Sequence, residues 1–421
     1  MRFVYIVIAY LLAPVMIGAL ALRGVRDRSH WQGFSQRFGL GRREERPCIW
    51  LHAVSVGEVQ AAAPLVNALL ARFPDIPLVL TTVTPTGRAR AQALFKERVD
   101  VRYVPIDLPG SVRRFFQRVR PRLAIILETE IWPNLYHRCG RLGIPLMLAS
   151  ARISPRSVSR YRRLVGLFRE ALSHGIFIAA QSAEDAERFR SIGASAERTH
   201  VIGNIKFDFG YPPDIEERGH ALRQMLGPHR PVWVAGSTHA GEEEALVAAH
   251  ARVRQRFTNA LLVLVPRHPP RFGDVASMLK ERGVRFVTRR SALPVTSDVE
   301  IFLLDTLGEL PPFYAAGDVA FVGGSLKVDH VGGHNLLEPA ALGLPIVAGP
   351  SNFNSADIAK LLVERGAVRL VHDEKELAIV VGELLSNPSA RAEMGAKGRK
   401  AVSDNRGAVD RLMEFLEPLL P

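Results

Sequence analysis

Apolar runs of five to seven residues, each followed by a helical pattern, recur in two series, and this alternation restricts the fold more than any other feature of the chain. The first series is CIWLHAV (48–54), PLVLTTV (77–83), VRYVPI (101–106), LAIILE (123–128), PLMLAS (145–150) and GIFIAAQ (175–181). The second is PVWVAG (231–236), LLVLVP (261–266), VRFVT (284–288), VEIFLLD (299–305), VAFVGG (319–324) and PIVAG (345–349). Runs this apolar suit strands covered on both faces, so each series predicts a parallel, doubly wound α/β sheet with crossover helices. Between the series, DFGYPPDIEER (208–218) has the composition of a linker. The expected organisation is therefore an anchor over 1–22, one Rossmann-like domain over 23–209 and a second over 210–421, facing each other across a cleft.

The anchor is residues 3–22, FVYIVIAYLLAPVMIGALAL, 20 positions without a charge, the length of helix that crosses hydrocarbon. Arg23, Arg26 and Arg28 follow it and only Arg2 precedes it, which by the positive-inside rule leaves the rest of the chain in the cytoplasm. A cleaved leader is the competing reading, with ALA at 19–21 as its cleavage site. Pro14 would also permit a kinked helix lying in the membrane surface. Charge points the same way. Residues 1–200 carry 30 Lys+Arg against 15 Asp+Glu, whereas the remainder carries 25 against 27. A basic half beside a membrane segment suggests anionic lipid or a phosphorylated substrate as partner, and no zinc-finger or basic-zipper spacing suggests nucleic acid. The two cysteines, Cys48 and Cys139, offer no disulfide framework.

Ligands of open parallel sheets sit beyond the carboxyl ends of the strands, so strand-end residues are the candidates for chemistry. Glu58 is the first. Ser55-x-x-Glu58 fits a capping box, and it equally places a general base at a helix start. Glu128 and Glu130, in LETEIWPNL, leave a fully apolar strand; they are either paired with nearby arginines or available to a substrate. Lys206, in GNIKFD, is a surface lysine or a cation that balances a departing phosphate.

In the second series, Ser237 and Thr238 open a helix with hydroxyls suited to phosphate, and Arg267 and His268 follow the next strand. Gly308 and Glu309 lie in DTLGEL, Gly324 and Ser325 begin a loop with two Gly-Gly pairs, and these strand-end loops together are the candidate nucleotide pocket. Asn335 and Glu338 read either as a ribose-binding pair or as another helix start. A zinc site from His239, His268, His330 and His334 matches no metal spacing. Neither a Walker A motif nor a strand-linked GxGxxG is present.

Eight motifs in order, HAVSVGE, TTVTPTG, LETEIWPNL, GNIKFD, GSTHAGEE, VPRHPPRF, FVGGSL and GGHNLLEPAALGLPIVAGP, make the whole chain similar to the bacterial Kdo transferases of lipopolysaccharide assembly. The resemblance implies a GT-B glycosyltransferase that moves 3-deoxy-D-manno-octulosonic acid (Kdo) from CMP-Kdo to a lipid A precursor, without metal or other cofactor. It implies Glu58 as proton acceptor, with Glu128 and Lys206 stabilising the transition state and Glu130 as the alternative carboxylate. It also implies CMP contacts at Pro266 and Arg267, at Leu307 to Glu309, and at Asn335, Leu336, Leu337 and Glu338. The segment KVDHV (327–331) departs from the family pattern and leaves the register of that loop open. Other readings are a nucleotide-sugar epimerase of the same architecture and a non-catalytic membrane-surface binding protein.

Overall fold

The computed structural model describes residues 1–420 except 164, 174 and 327–330. The chain forms two compact units, Met1–Gly210 with Asn405–Pro421, and Tyr211–Asp404. The expected division at residue 210 is therefore incomplete, because the last 17 residues return to the first unit. Their attachment is specific. Asp208 accepts from the N–H groups of Gly407 and Val409, and Arg411 donates to the Ile202 carbonyl. Leu412 and Leu416 of the helix Ala408–Leu416 are buried with Leu65 and Leu69.

The first unit holds seven parallel strands: β1 Cys48–His52, β2 Leu78–Thr82, β3 Asp100–Tyr103, β4 Pro121–Leu127, β5 Leu146–Ala151, β6 Phe177–Ala180 and β7 Thr199–Val201. Their order is β3-β2-β1-β4-β5-β6-β7, so the winding reverses between β1 and β4. β1, β2 and β5 are buried along their whole length, as their unbroken apolar runs require. The second unit repeats the plan with β8 Val232–Thr238, β9 Leu261–Pro266, β10 Phe286–Thr288, β11 Ile301–Leu303, β12 Val319–Val322, β13 Ile346–Ala348 and β14 Val368–Leu370. Its order, β10-β11-β9-β8-β12-β13-β14, reverses between β8 and β12. Each reversal opens a crevice at the strand ends, where ligands of such sheets bind.

The first helix spans Arg2–Arg26, longer than the expected 1–22, and is apolar and long enough to cross a membrane. Its outer face is bare: Phe3, Leu11 and Val15 are 77%, 72% and 70% exposed. Its inner face is bonded to the first unit. Tyr5 donates to Asp107 at 2.8 Å and Arg2 Nε to Asn134 Oδ1 at 3.2 Å. The first two turns thus lie on the same body that continues from its last turn.

Candidate active site

In the first unit the helix Val56–Ala61 starts directly beyond β1, at the winding reversal. Ser55 is its N-cap, with the Glu58 N–H 3.4 Å from Ser55 Oγ. Glu58 reaches back, accepting from the Val54 N–H at 2.9 Å through one oxygen and from the Ser55 hydroxyl at 3.4 Å through the other. The capping box expected from the sequence is therefore present, and it fixes the carboxylate at the sheet end. Burial raises the Glu58 carboxyl to about 7, the negative charge of Glu128 adding to the effect and Lys206 opposing it. A carboxylate tuned to neutrality at the end of a parallel sheet has the protonation behaviour a general base needs.

Glu128 follows β4 with φ 56°, the left-handed region that costs a non-glycine residue about 1 kcal/mol. Its N–H stays in the sheet, donating to the Ala149 carbonyl, while its side chain accepts from Lys206 Nζ at 2.7 Å. Lys206 is placed by a relay. Its N–H donates to Asn204 Oδ1, Asn204 Nδ2 donates to Gln181 Oε1, and Gln181 Nε2 donates to Ser150 Oγ. Ser150 is buried and itself left-handed, at φ 50°. Glu58, Glu128 and Lys206 are thus one electrostatic cluster, although 148 positions separate the first from the last. Glu130 is close enough to act on Glu58, and burial raises its own carboxyl.

The donor-side candidates lie in the second unit, and several are already engaged within it. Ser237 has φ 58° beside the reversal of the second sheet. Thr238 is fully buried with its hydroxyl 3.3 Å from Glu243, so it braces the helix Glu243–Arg256 rather than facing a ligand. The N–H groups of Gly324 and Ser325 both donate to Glu242, at 2.6 and 2.9 Å. Glu309 is held by Arg289 at 3.0 Å and by Thr306, and the Arg289 bond holds its carboxyl below the ordinary range. Asn335 and Glu338 bond each other at 3.2 Å, and Asn335 also accepts from the Leu337 N–H, the helix-start reading of that pair. Leu336 and Leu337 are buried in the core, as is Pro266 at the end of β9.

Arg267 is half-buried and His268 exposed; no acidic side chain pairs with either among the described residues. Leu307 and Gly308 are exposed, with Gly308 at φ 82°. His334 stacks on His239 with their Nε2 atoms 2.7 Å apart, and His268 meets His239 edge-on. Burial lowers His334 to about 3, with His239 adding to it. No metal-holding group of three or more His, Cys, Asp or Glu occurs among the described residues. His330 lies outside the described residues.

Glu242 is the residue that sequence reasoning passed over. It is fully buried and takes four N–H groups, those of His239, Gly324, Ser325 and Leu326. The carboxylate thereby fills an anion nest and fastens the glycine-rich loop after β12 to the turn after β8. Only its place as the first of three consecutive glutamates was legible, and nothing distinguishes it from Glu243 and Glu244 there.

Two doubly wound units without a P-loop, one with a tuned carboxylate cluster and the other with an arginine and histidine cluster at its sheet end, have the architecture of the GT-B glycosyltransferases. The fold is shared with the UDP-GlcNAc 2-epimerase of Neisseria meningitidis, at TM-score 0.59 and 12% identity over 89% of this chain and all of that one. Residues 32–209 match the family described as 3-deoxy-D-manno-octulosonic-acid transferase (kdotransferase). Proteins named 3-deoxy-D-manno-octulosonic acid transferase from Haemophilus influenzae and Bordetella pertussis are each 37% identical to it. The first alignment covers 100% of this chain and 99% of the relative, the second 97% of each. The chain belongs to the Kdo transferases. Whole-length identity of that size sets aside the epimerase reading, which rests on fold alone.

Proposed function

We propose that this Kdo transferase takes the sugar from CMP-Kdo and places it, with inversion, on a hydroxyl of a phosphorylated lipid A precursor at the cytoplasmic face of the inner membrane. Glu58 accepts the proton of the attacking hydroxyl. The acceptor oxygen forms its bond to the anomeric carbon as the bond from that carbon to the phosphate oxygen breaks, and CMP leaves with the electron pair. The leaving group is already good, so the protein has mainly to deprotonate and to position. Glu128 and Lys206 are assigned to stabilising the charge that develops at the reacting carbon and the departing phosphate, with Glu130 as the neighbouring carboxylate. None of these steps calls for a metal.

The observation that carries this reading is the Glu58 carboxyl, raised to about 7 beside the Glu128–Lys206 pair. On the donor side, Arg267, which has no acidic partner among the described residues, exposed His268 and the exposed backbone of Leu307 and Gly308 are the CMP candidates most open to a ligand. The Arg2 and Tyr5 contacts to the first unit favour a first helix that lies in the membrane surface with its bare face in lipid. The test is incubation with CMP-Kdo and a tetraacylated lipid A precursor, followed by mass spectrometry of the lipid. One or more added Kdo masses are expected, and their number gives the multiplicity. Unchanged lipid in the presence of intact donor would refute the proposal.

A further inference from the structure

A cavity of about 430 Å³ lies where the first helix crosses the helices Pro109–Val119 and Pro133–Leu142 of the first unit. That volume falls within the roughly 300–1,000 Å³ usual for ligand pockets. Its wall is cationic: Arg2, Arg113, Arg138 and Arg141 line it together with His137 and Tyr10, and no acidic side chain faces it. Arg138 and Arg141 stand three apart on one helix, a like-charge spacing that is unfavourable without a counter-charge.

The protein supplies little of that counter-charge. Neither helix contains an aspartate or glutamate. Asp107 and Glu170 act on Arg2, but the Asp107 carboxylate is already taken by the Tyr5 hydroxyl and the N–H groups of Asn134 and Leu135. Arg113, Arg138 and Arg141 have no ion-pair partner among the described residues, and Arg138 Nε is buried with no hydrogen-bond acceptor. A buried guanidinium N–H without an acceptor is costly unless a ligand fills the place.

We infer that this cavity is a binding site for a lipid-borne phosphate, with Arg138 and Arg141 as its forks and Arg113 and Arg2 at its rim. Guanidinium pairs match phosphate oxygens bidentately. The bare apolar face of the first helix, with Phe3 and Leu11 exposed, sets the cavity at the depth of lipid headgroups rather than in bulk water. The phosphate belongs either to a bilayer phospholipid or to the phosphorylated acceptor, and the chemistry of recognition is the same. The site contains none of the residues assigned to catalysis.

The test uses the full chain in neutral detergent. Wild type is compared with the double variant Arg138→Ala, Arg141→Ala, and with Arg113→Ala, Arg141→Ala should the first fail to melt like wild type. Phosphatidylglycerol retained over phosphatidylcholine is counted by native mass spectrometry, and KM is measured for acceptor and donor. Loss of the arginines should weaken phosphate-lipid binding at least about tenfold, with donor KM unchanged. Reduced phosphatidylglycerol retention identifies a bilayer headgroup. Raised acceptor KM with normal retention identifies the acceptor phosphate. Lysine at both positions should restore part of either effect. Retention and acceptor KM both equal to wild type would overturn the inference. Glu58→Gln, inactive if the catalytic proposal holds, should retain phosphatidylglycerol normally, which separates failure of this site from failure of that proposal.

Discussion

Replacing Glu58 by glutamine should stabilise the protein and silence it together. The wild-type carboxyl moves from an ordinary value of 4.5 to about 7 in the folded state, burial being the main cause and Glu128 the next. Each unit corresponds to 1.36 kcal/mol, so holding Glu58 ionised at pH 8 costs the fold at most about 3 kcal/mol. The sign follows from the direction of the shift. A carboxyl raised on folding contributes its stability in full below about 4.5, and that contribution is lost as pH rises through about 7. Glutamine carries no charge at any pH, and its carbonyl oxygen can still accept from the Val54 N–H, so the helix cap is preserved.

Urea unfolding at pH 8 should therefore show Glu58→Gln more stable by about 1–3 kcal/mol, and the difference should vanish only as the pH falls below about 4.5. Turnover should fall by about 10²–10⁴, the ordinary share of a positioned general base, and CMP-Kdo binding should survive. In the wild type, kcat/KM should climb as Glu58 ionises through pH 7. If the variant is less stable at pH 8, Glu58 serves chiefly as a cap. If it keeps wild-type turnover, Glu58 is not the proton acceptor.

Removing Lys206 (Lys206→Met) and neutralising Glu128 (Glu128→Gln) should each reduce kcat, and the double variant should lose less than the sum, with a coupling of about 1–3 kcal/mol; strict additivity in single-turnover assays would dissolve the pair. Arg271→Met leaves the fully buried Glu243 without its 3.0 Å partner and should destabilise by about 3 kcal/mol. That loss should grow as pH rises, because burial already raises the Glu243 carboxyl; an unchanged urea midpoint at pH 8 would refute it. CMP at about one hundred times its dissociation constant should stabilise the protein by about 2.7 kcal/mol, seen as a higher melting temperature. Arg267→Ala should abolish most of that gain, and a full gain in the variant would remove Arg267 from the CMP site.

The sheets were legible because their interior strands are buried on both faces and so are apolar throughout. The two that escaped, β7 (Thr199–Val201) and β14 (Val368–Leu370), are three-residue edge strands with exposed, polar or charged members, too short to carry a period. The returning helix Ala408–Leu416 shows an apolar stripe in sequence, but a stripe does not say which core receives it. Glu58 and Glu128 were visible because a carboxylate just after an apolar strand calls for a reason. The pairing of Glu128 with Lys206 joins residues 78 apart through a fold, and no local pattern encodes it. The bonds from the Gly324 and Ser325 N–H groups to Glu242 likewise span more than 80 residues, and no local pattern encodes them.

Three non-glycine residues in the left-handed region, Glu128, Ser150 and Ser237, sit at the ends of β4, β5 and β8. Glycine at any of them would relieve strain of about 1 kcal/mol, so the side chains must offset it. For two of them the structure shows how. Ser150 accepts from Gln181, and the relay through Asn204 places the Lys206 backbone, while Glu128 meets the Lys206 ammonium directly. The irregular register between β5 and β6 at Leu148/Ala151 is the local consequence, since a left-handed residue inside a strand breaks the regular ladder. The same turn of backbone that takes Glu128 out of the sheet aims its carboxylate at Lys206, and a regular strand end would point it along the pleat instead. Strain held at a sheet end and offset by one ion pair and its relay sets this cluster physically apart from the many other arginines and carboxylates of the first unit.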